Sequence, residues 1–301
     1  MNDRTKAMVL ASFAGDALAL GVHWIYNTRV IDKKWGRVER YVKPERPTYH
    51  PTKDLGEFTH YGDQTLVLLK SIVAAGGFDL DRFAEDWQAL FNAYDGYVDQ
   101  ATKGTLQNIS DGKESASAGS ASLELAGAAR IAPLVYRYRN DLDRLISAAR
   151  AQTAFTHNTD HVIASAEFFG RLAFKVLGGQ TPVSAMQAVL DERFQEEPYL
   201  AWTRQGLESA AGDTRQVVLD FGQMCEVEAA FPSVIHLIAK YEDNLRDALI
   251  ENAMAGGDSA GRGLLVGMIL GAHLGMDAIP EAWLTEMKAY PEITDLLGKM
   301  G

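Results

Sequence analysis

The sequence predicts an all-α fold. Apolar residues recur at helical spacing through most of the chain, alternating β-branched runs are nearly absent, and no repeat, low-complexity tract or linker divides it. At three to four turns per helix plus a loop, the 301 residues accommodate about a dozen helices in one domain, residues 1–301. An apolar share of 47% against 23% charged is enough for a sizeable core, which excludes a disordered chain.

The elements follow in order. Ala7–Gly15 is an apolar run bracketed by Asp3 and Asp16 and preceded by Arg4 and Lys6; it faintly resembles a secretory leader, but no convincing cleavage site follows. Leu66, Leu69, Ile72 and Val73 mark one face of a helix beginning near Thr65. Phe83, Trp87, Leu90, Phe91 and Tyr94 mark the next, with Asp79 or Asp81 as its cap. Similar spacing runs through Leu123–Tyr136, Leu142–Ala151, His161–Leu177, Ser184–Phe194, Cys225–Ala239 and Leu245–Met254. The last long helix, from about Asp258 to Gly275, has Gly263, Gly267, Gly271 and Gly275 at four-residue intervals, a stripe that lets another core helix approach closely.

Two stretches resist helical assignment. Gly36–Gly62 carries three of the nine prolines together with Tyr41, Tyr49, His50, Phe58, His60 and Tyr61, which suits the wall of a pocket. Asp99–Gly119 is polar and glycine-bearing, and reads as a second loop.

Charge narrows the function. Twenty-nine basic against 40 acidic residues give a net charge of -11, so no nucleic-acid or anionic-membrane partner is expected, although a local basic site for one phosphate stays open. Cys225 is the only cysteine, which rules out an internal disulfide and a thiolate cluster and points to a reducing cytoplasm. The longest uncharged run, Gly263–Met276, has 14 residues and is too short to span a bilayer.

Familiar catalytic signatures are missing, and the seven histidines are scattered without metal-ligand spacing. Two segments stand out instead: Tyr61-Gly62-Asp63-Gln64-Thr65 and Gly256-Gly257-Asp258-Ser259-Ala260-Gly261-Arg262-Gly263. Each places an aspartate after glycine where an apolar helix starts. Such an aspartate caps backbone N–H groups, and the same geometry keeps a carboxylate ionised, ready for a cation or for a proton from water. Asp16 is a third in this style, within a helix.

These motifs, with Gly15-Asp16-Ala17-Leu18, Gly127–Leu134, Thr156-His157 and Ile279-Pro280, occur in the order found in the ADP-ribosylglycohydrolase family, which the chain resembles over residues 10–285. The resemblance implies a compact orthogonal helical bundle, a cleft for ADP-ribose, and a pair of Mg²⁺ or Mn²⁺ ions that help cleave a glycosidic bond. Hard cations of this kind want carboxylate and hydroxyl oxygens and lower the pKa of bound water. It also implies catalytic and metal-binding roles for Asp63 and Asp258. Gly62, Gln64, Thr65, His157, Gly257, Ser259, Arg262 and His23 would touch the ligand.

The sequence departs from the family pattern at the metal site. Gly62 stands for threonine, Gln64 and Ala260 for aspartates, Gly261 for threonine, and His23 and Trp24 occupy the neighbourhood of an early glutamate. At most one weakly held Mg²⁺ or Mn²⁺ is expected, with Gln64 offering a neutral carbonyl; Asp63 and Asp258 are expected to approach one another and either share that ion or hydrogen-bond through water and Arg262. Arg262, four residues after Asp258, either pairs with it or supplies positive charge to a phosphate or ribose. Arg130 reads as structural and in need of a carboxylate partner. His23 is one candidate for a replacement acid or base at the mouth of the cleft, and His157 reads as either structural or ligand-binding. Two functions follow: a divergent hydrolase of ADP-ribosyl or related N- or O-glycosides, and a non-catalytic regulator that binds ADP-ribose or a nucleotide.

Overall fold

Helices begin where a short polar side chain can accept a free backbone N–H. Asp79 accepts from Arg82, Asp141 from Arg144, Asp213 from Gln216, Asn244 from Asp247 and Asp258 from Gly261. The structure, a computed structural model describing residues 2–300, contains seventeen α-helices and, among those residues, no strand. Isolated bridges pair Ser120 with His157 and Glu124 with Glu226, pinning the extended segment between them. One cluster of buried apolar side chains runs from Ala7 to Leu297.

The structure corrects three boundaries. The helix carrying Asp63 spans His60–Ala75 and starts five residues before Thr65, because Thr59 caps it by accepting from Tyr61 N. Asp63 therefore lies one turn inside the helix and is not its cap. Gln100–Ser110 is helical, not loop: Asp99 accepts from Thr102 N at 2.6 Å, and Ala101, Thr102 and Thr105 form a buried face. The predicted Leu123–Tyr136 helix is split into Ala126–Ala129 and Ala132–Arg137, with Pro133 in the first turn of the second, where its missing N–H costs nothing.

The glycine stripe finds its partner in the opening helix, Asn2–Ala19. A Cβ on Gly267 would lie 2.1 Å from Ala11 O, and one on Gly271 2.6 Å from Ala7 O. Gly15 and Gly263 abut in the same way, a Cβ on Gly15 meeting Gly263 O at 2.2 Å. Gly275 is not part of this seam; it ends the helix at φ 83°. By length and composition the span Asp3–Val22 would suffice to cross a membrane, yet 94% of its most apolar window is buried inside the protein. It is the central core helix.

Adding one methyl to the seam should therefore cost far more than adding one elsewhere. Gly267→Ala is expected to lose roughly 3 kcal/mol or more in urea unfolding, since only backbone displacement relieves the clash. Gly298→Ala, with nothing within 4 Å of its Cβ, should be neutral or slightly stabilising. Equal effects from the two would contradict this packing.

Candidate active site

Two consecutive glycines aim Asp258. Gly256 and Gly257 have φ of 69° and 63°, and a Cβ on Gly257 would lie 2.1 Å from Gln223 O. Their backbone pairs with the turn after the opening helix, Trp24 N donating to Gly257 O at 2.8 Å and Gly257 N to Ile25 O at 3.0 Å. Asp258 then caps the Ser259–Leu274 helix and receives His23 Nε2 at 2.9 Å, with Tyr61 Oη a long 3.5 Å away. His23 Nδ1 in turn lies 2.9 Å from His50 Nε2.

Burial pushes both His23 and His50 below the usual imidazole range, so both rings are neutral. One tautomer pair then suits both contacts: His50 Nε2–H donates to His23 Nδ1, and His23 Nε2–H donates to Asp258 Oδ1. That leaves His50 Nδ1 as a bare acceptor, and it has no partner among the described residues. Burial also pulls Asp258 upward, but the His23 hydrogen bond, the Arg262 guanidinium and the Gly261 N–H outweigh it and hold the carboxyl below its ordinary range.

Asp63 is held separately. Its Oδ2 accepts from Lys53 Nζ and Tyr94 Oη, each at 2.5 Å, and no hydrogen bond joins it to Asp258. Burial raises its pKa against the opposing ammonium and hydroxyl; two donors converging on one oxygen are nonetheless the pattern of an ionised carboxylate. Asp16 lies behind, accepting from Thr59 N at 2.8 Å and Thr59 Oγ1 at 2.6 Å. Burial without a countercharge in contact lifts it to about 7. Gly62 is what admits it: a Cβ there would meet Asp16 Oδ2 at 2.5 Å.

Several predicted ligand contacts are committed inside the protein. Gln64 Oε1 accepts from Trp87 Nε1 at 2.8 Å and from Arg130, so its carbonyl does not face a ligand. Arg130 has no carboxylate in contact; its partners are Gln64 and Thr156, and burial lowers it to about 10. Arg262 is fully buried and forms no ion pair with Asp258. Its guanidinium donates to Asn252 Oδ1 at 3.0 Å and Gly256 O at 2.5 Å, bracing the glycine turn, while its charge reaches Asp258 only through space. Thr65 donates to Tyr61 O, and Ser259 is buried beside the turn. His23, at 3% exposure, lies beneath the surface and not at a mouth. His157 is likewise buried, its Nδ1 2.9 Å from Thr156 Oγ1 and its Nε2 3.9 Å from Glu124.

The aromatic loop divides. Tyr41 and Phe58 belong to the core, Tyr41 Oη donating to Trp283 O and Phe58 packing on Phe13. Tyr49, His50, His60 and Tyr61 face the site. Above the imidazoles, Trp24, Tyr49 and Tyr97 meet edge to face with centroids 5.0–5.3 Å apart, and Trp24 adopts φ 62°, unusual for a bulky residue. His60 Nε2 lies 3.1 Å from Asp99 Oδ2. Sequence spacing gave no sign of Lys53, Tyr94, Tyr97 or Asp99 at the site, nor of the meeting of His23 with His50 and His60 of the aromatic loop.

The chain belongs to the ADP-ribosylglycohydrolase family, whose model matches residues 1–300. It is 25% identical over 308 residues to Crystallin J1A of Tripedalia cystophora, covering 97% of this chain and 94% of that protein. It is 26% identical over 306 residues to the ADP-ribosyl-(dinitrogen reductase) glycohydrolase of Rhodospirillum rubrum, with the same coverage, 97% and 94%. A solved ADP-ribosylglycohydrolase-related protein complex shares the fold, with a TM-score of 0.77, 21% identity, and coverage of 99% of this chain and 97% of that one.

A divalent ion, which membership of this family implies, does not fit the donors present. Asp63 Oδ2 is taken by an ammonium and a hydroxyl, Asp258 Oδ1 by an imidazole and Gly261 N. Gly62, Ala260 and Gly261 bring no side-chain oxygen, and Gln64 is turned away. Among the described residues, no three His, Cys, Asp or Glu side chains are grouped to hold an ion.

Two predictions follow from this geometry. Gln64→Ala strands Trp87 Nε1 and the Arg130 guanidinium in the core, and should lower stability by about 2–4 kcal/mol in urea unfolding; a loss below 1 kcal/mol would show that the pairing is dispensable. For Asp16 the raised folded pKa means that the unfolded chain gives up its proton first, so this group's stabilisation is complete below about pH 4 and fades as pH climbs to about 7. Asp16→Asn should accordingly gain on wild type across that window, by at most about 4 kcal/mol. A stability difference independent of pH between pH 4 and 7 would refute the assignment.

Proposed function

We propose that this protein hydrolyses N- or O-glycosidic bonds of ADP-ribosyl-type ligands with its own side chains in place of divalent ions. The observation that carries this reading is the hydrogen-bonded line His50–His23–Asp258. At one end lies a carboxylate kept anionic in a buried setting, suited to stabilising positive charge that develops on a ribosyl ring. At the other lies His50 Nδ1, a lone pair with no partner among the described residues, suited to accept a hydrogen bond from attacking water and orient it. The water's proton ends on the departing group, and its hydroxyl stays on the anomeric carbon. The rings of Trp24, Tyr49 and Tyr97 offer stacking surface for a base or sugar face.

A second reading, a non-catalytic protein that binds ADP-ribose or a related nucleotide, is favoured by one observation: the Asp63 carboxylate is already engaged by Lys53 and Tyr94. Release of ADP-ribose from modified arginine and serine peptides, assayed in excess chelator, separates the two. Hydrolysis should persist with chelator and fall about 10²–10⁴-fold in His50→Ala and Asp258→Asn. Calorimetric binding of ADP-ribose with no release from either peptide would move the assignment to the binding protein.

A further inference from the structure

Lys53 is absent from every sequence motif, yet its ammonium makes the shortest ion pair of the site. Nζ lies 2.5 Å from Asp63 Oδ2 and 5.3 Å from the centroid of the Tyr94 ring, whose hydroxyl donates to that same oxygen. Both charged side chains are largely withdrawn from water, with 12% and 18% of their surface exposed. At such burial each charge needs the other. The loop is tied down on both sides: Lys53 N donates to His50 O at 3.2 Å, and Thr52 Oγ1 to Asp95 O at 3.1 Å, next to Tyr94.

We propose that Lys53 is the built-in cation of the Asp63 pocket, a positioning residue that supplies its positive charge and closes it to Mg²⁺ and Mn²⁺. A divalent ion bound to Oδ2 would sit about 2.0–2.6 Å from that oxygen, in the space the ammonium fills. Occupancy by one excludes the other, and the ion would also face an unpaired lysine charge at contact range. The proposal is independent of whether the chain hydrolyses its ligand or only binds it.

The experiment is a Mn²⁺ titration of the full chain, counting bound ion by loss of the free-ion electron paramagnetic resonance signal. Wild type and Lys53→Arg should leave millimolar Mn²⁺ free. Lys53→Ala should bind one ion roughly tenfold tighter or better, and Lys53→Ala with Asp63→Asn should lose it again. Should Lys53→Ala fail to fold, Lys53→Gln takes its place. Wild-type binding within threefold of the lysine-free variant, abolished by Asp63→Asn, would overturn the proposal. So would a lysine-free, folded variant that takes up no ion.

Discussion

The contact between two glycines, Gly15 on the opening helix and Gly263 on the Ser259–Leu274 helix, fixes the positions of the groups on which the site depends. Asp16 follows one of these glycines directly, and Asp258 caps the helix that carries the other. With no side chain between them, the two backbones meet at van der Waals distance, and the turn after the opening helix delivers His23 to Asp258. A spacing wider by one methyl would separate an imidazole–carboxylate pair now 2.9 Å apart. The seam is thus both the centre of the core and the ruler of the site.

What surrounds the seam is a set of buried charges, each met by a group of the protein. Asp258 has His23, Asp63 has Lys53, Asp99 has His60 and Thr102, and Arg130 has Gln64 and Thr156. A buried charge left alone costs several kcal/mol, so loss of ion-binding oxygens from this frame cannot stand by itself. The neutral Gln64 lets a buried guanidinium persist without a carboxylate in contact, and Lys53 balances Asp63.

Much of the frame was legible in the sequence. Helical periodicity gave the class of fold, the four-residue glycine interval gave the close-packed helix, and Gly256-Gly257-Asp258 gave a cap with room for backbone approach. The pairings were not legible. Lys53 and Asp63 are ten residues apart across a loop of no regular period, and His23 meets Asp258 across 235 residues. Local spacing carries no signal for either. Gln64 misled for a related reason: a carbonyl beside Asp63 in sequence points the other way on the helix, toward Trp87. The polar stretch after Asp99 misled because its buried face is built from Ala101, Thr102 and Thr105, too weakly apolar to show a period.

The three aspartates show how one residue type acquires three behaviours. All are withdrawn from solvent, so desolvation acts upward on each. Asp16 meets only a threonine and rises to about 7. Asp63 meets an ammonium, which opposes the rise without removing it. Asp258 alone combines a histidine, a nearby guanidinium and the N-terminus of a sixteen-residue helix, and alone ends below its ordinary range. Sequence context, aspartate after glycine in all three, does not distinguish them. The distinction arises from what the chain brings back from a distance, and it leaves Asp258 as the one of the three best able to remain charged.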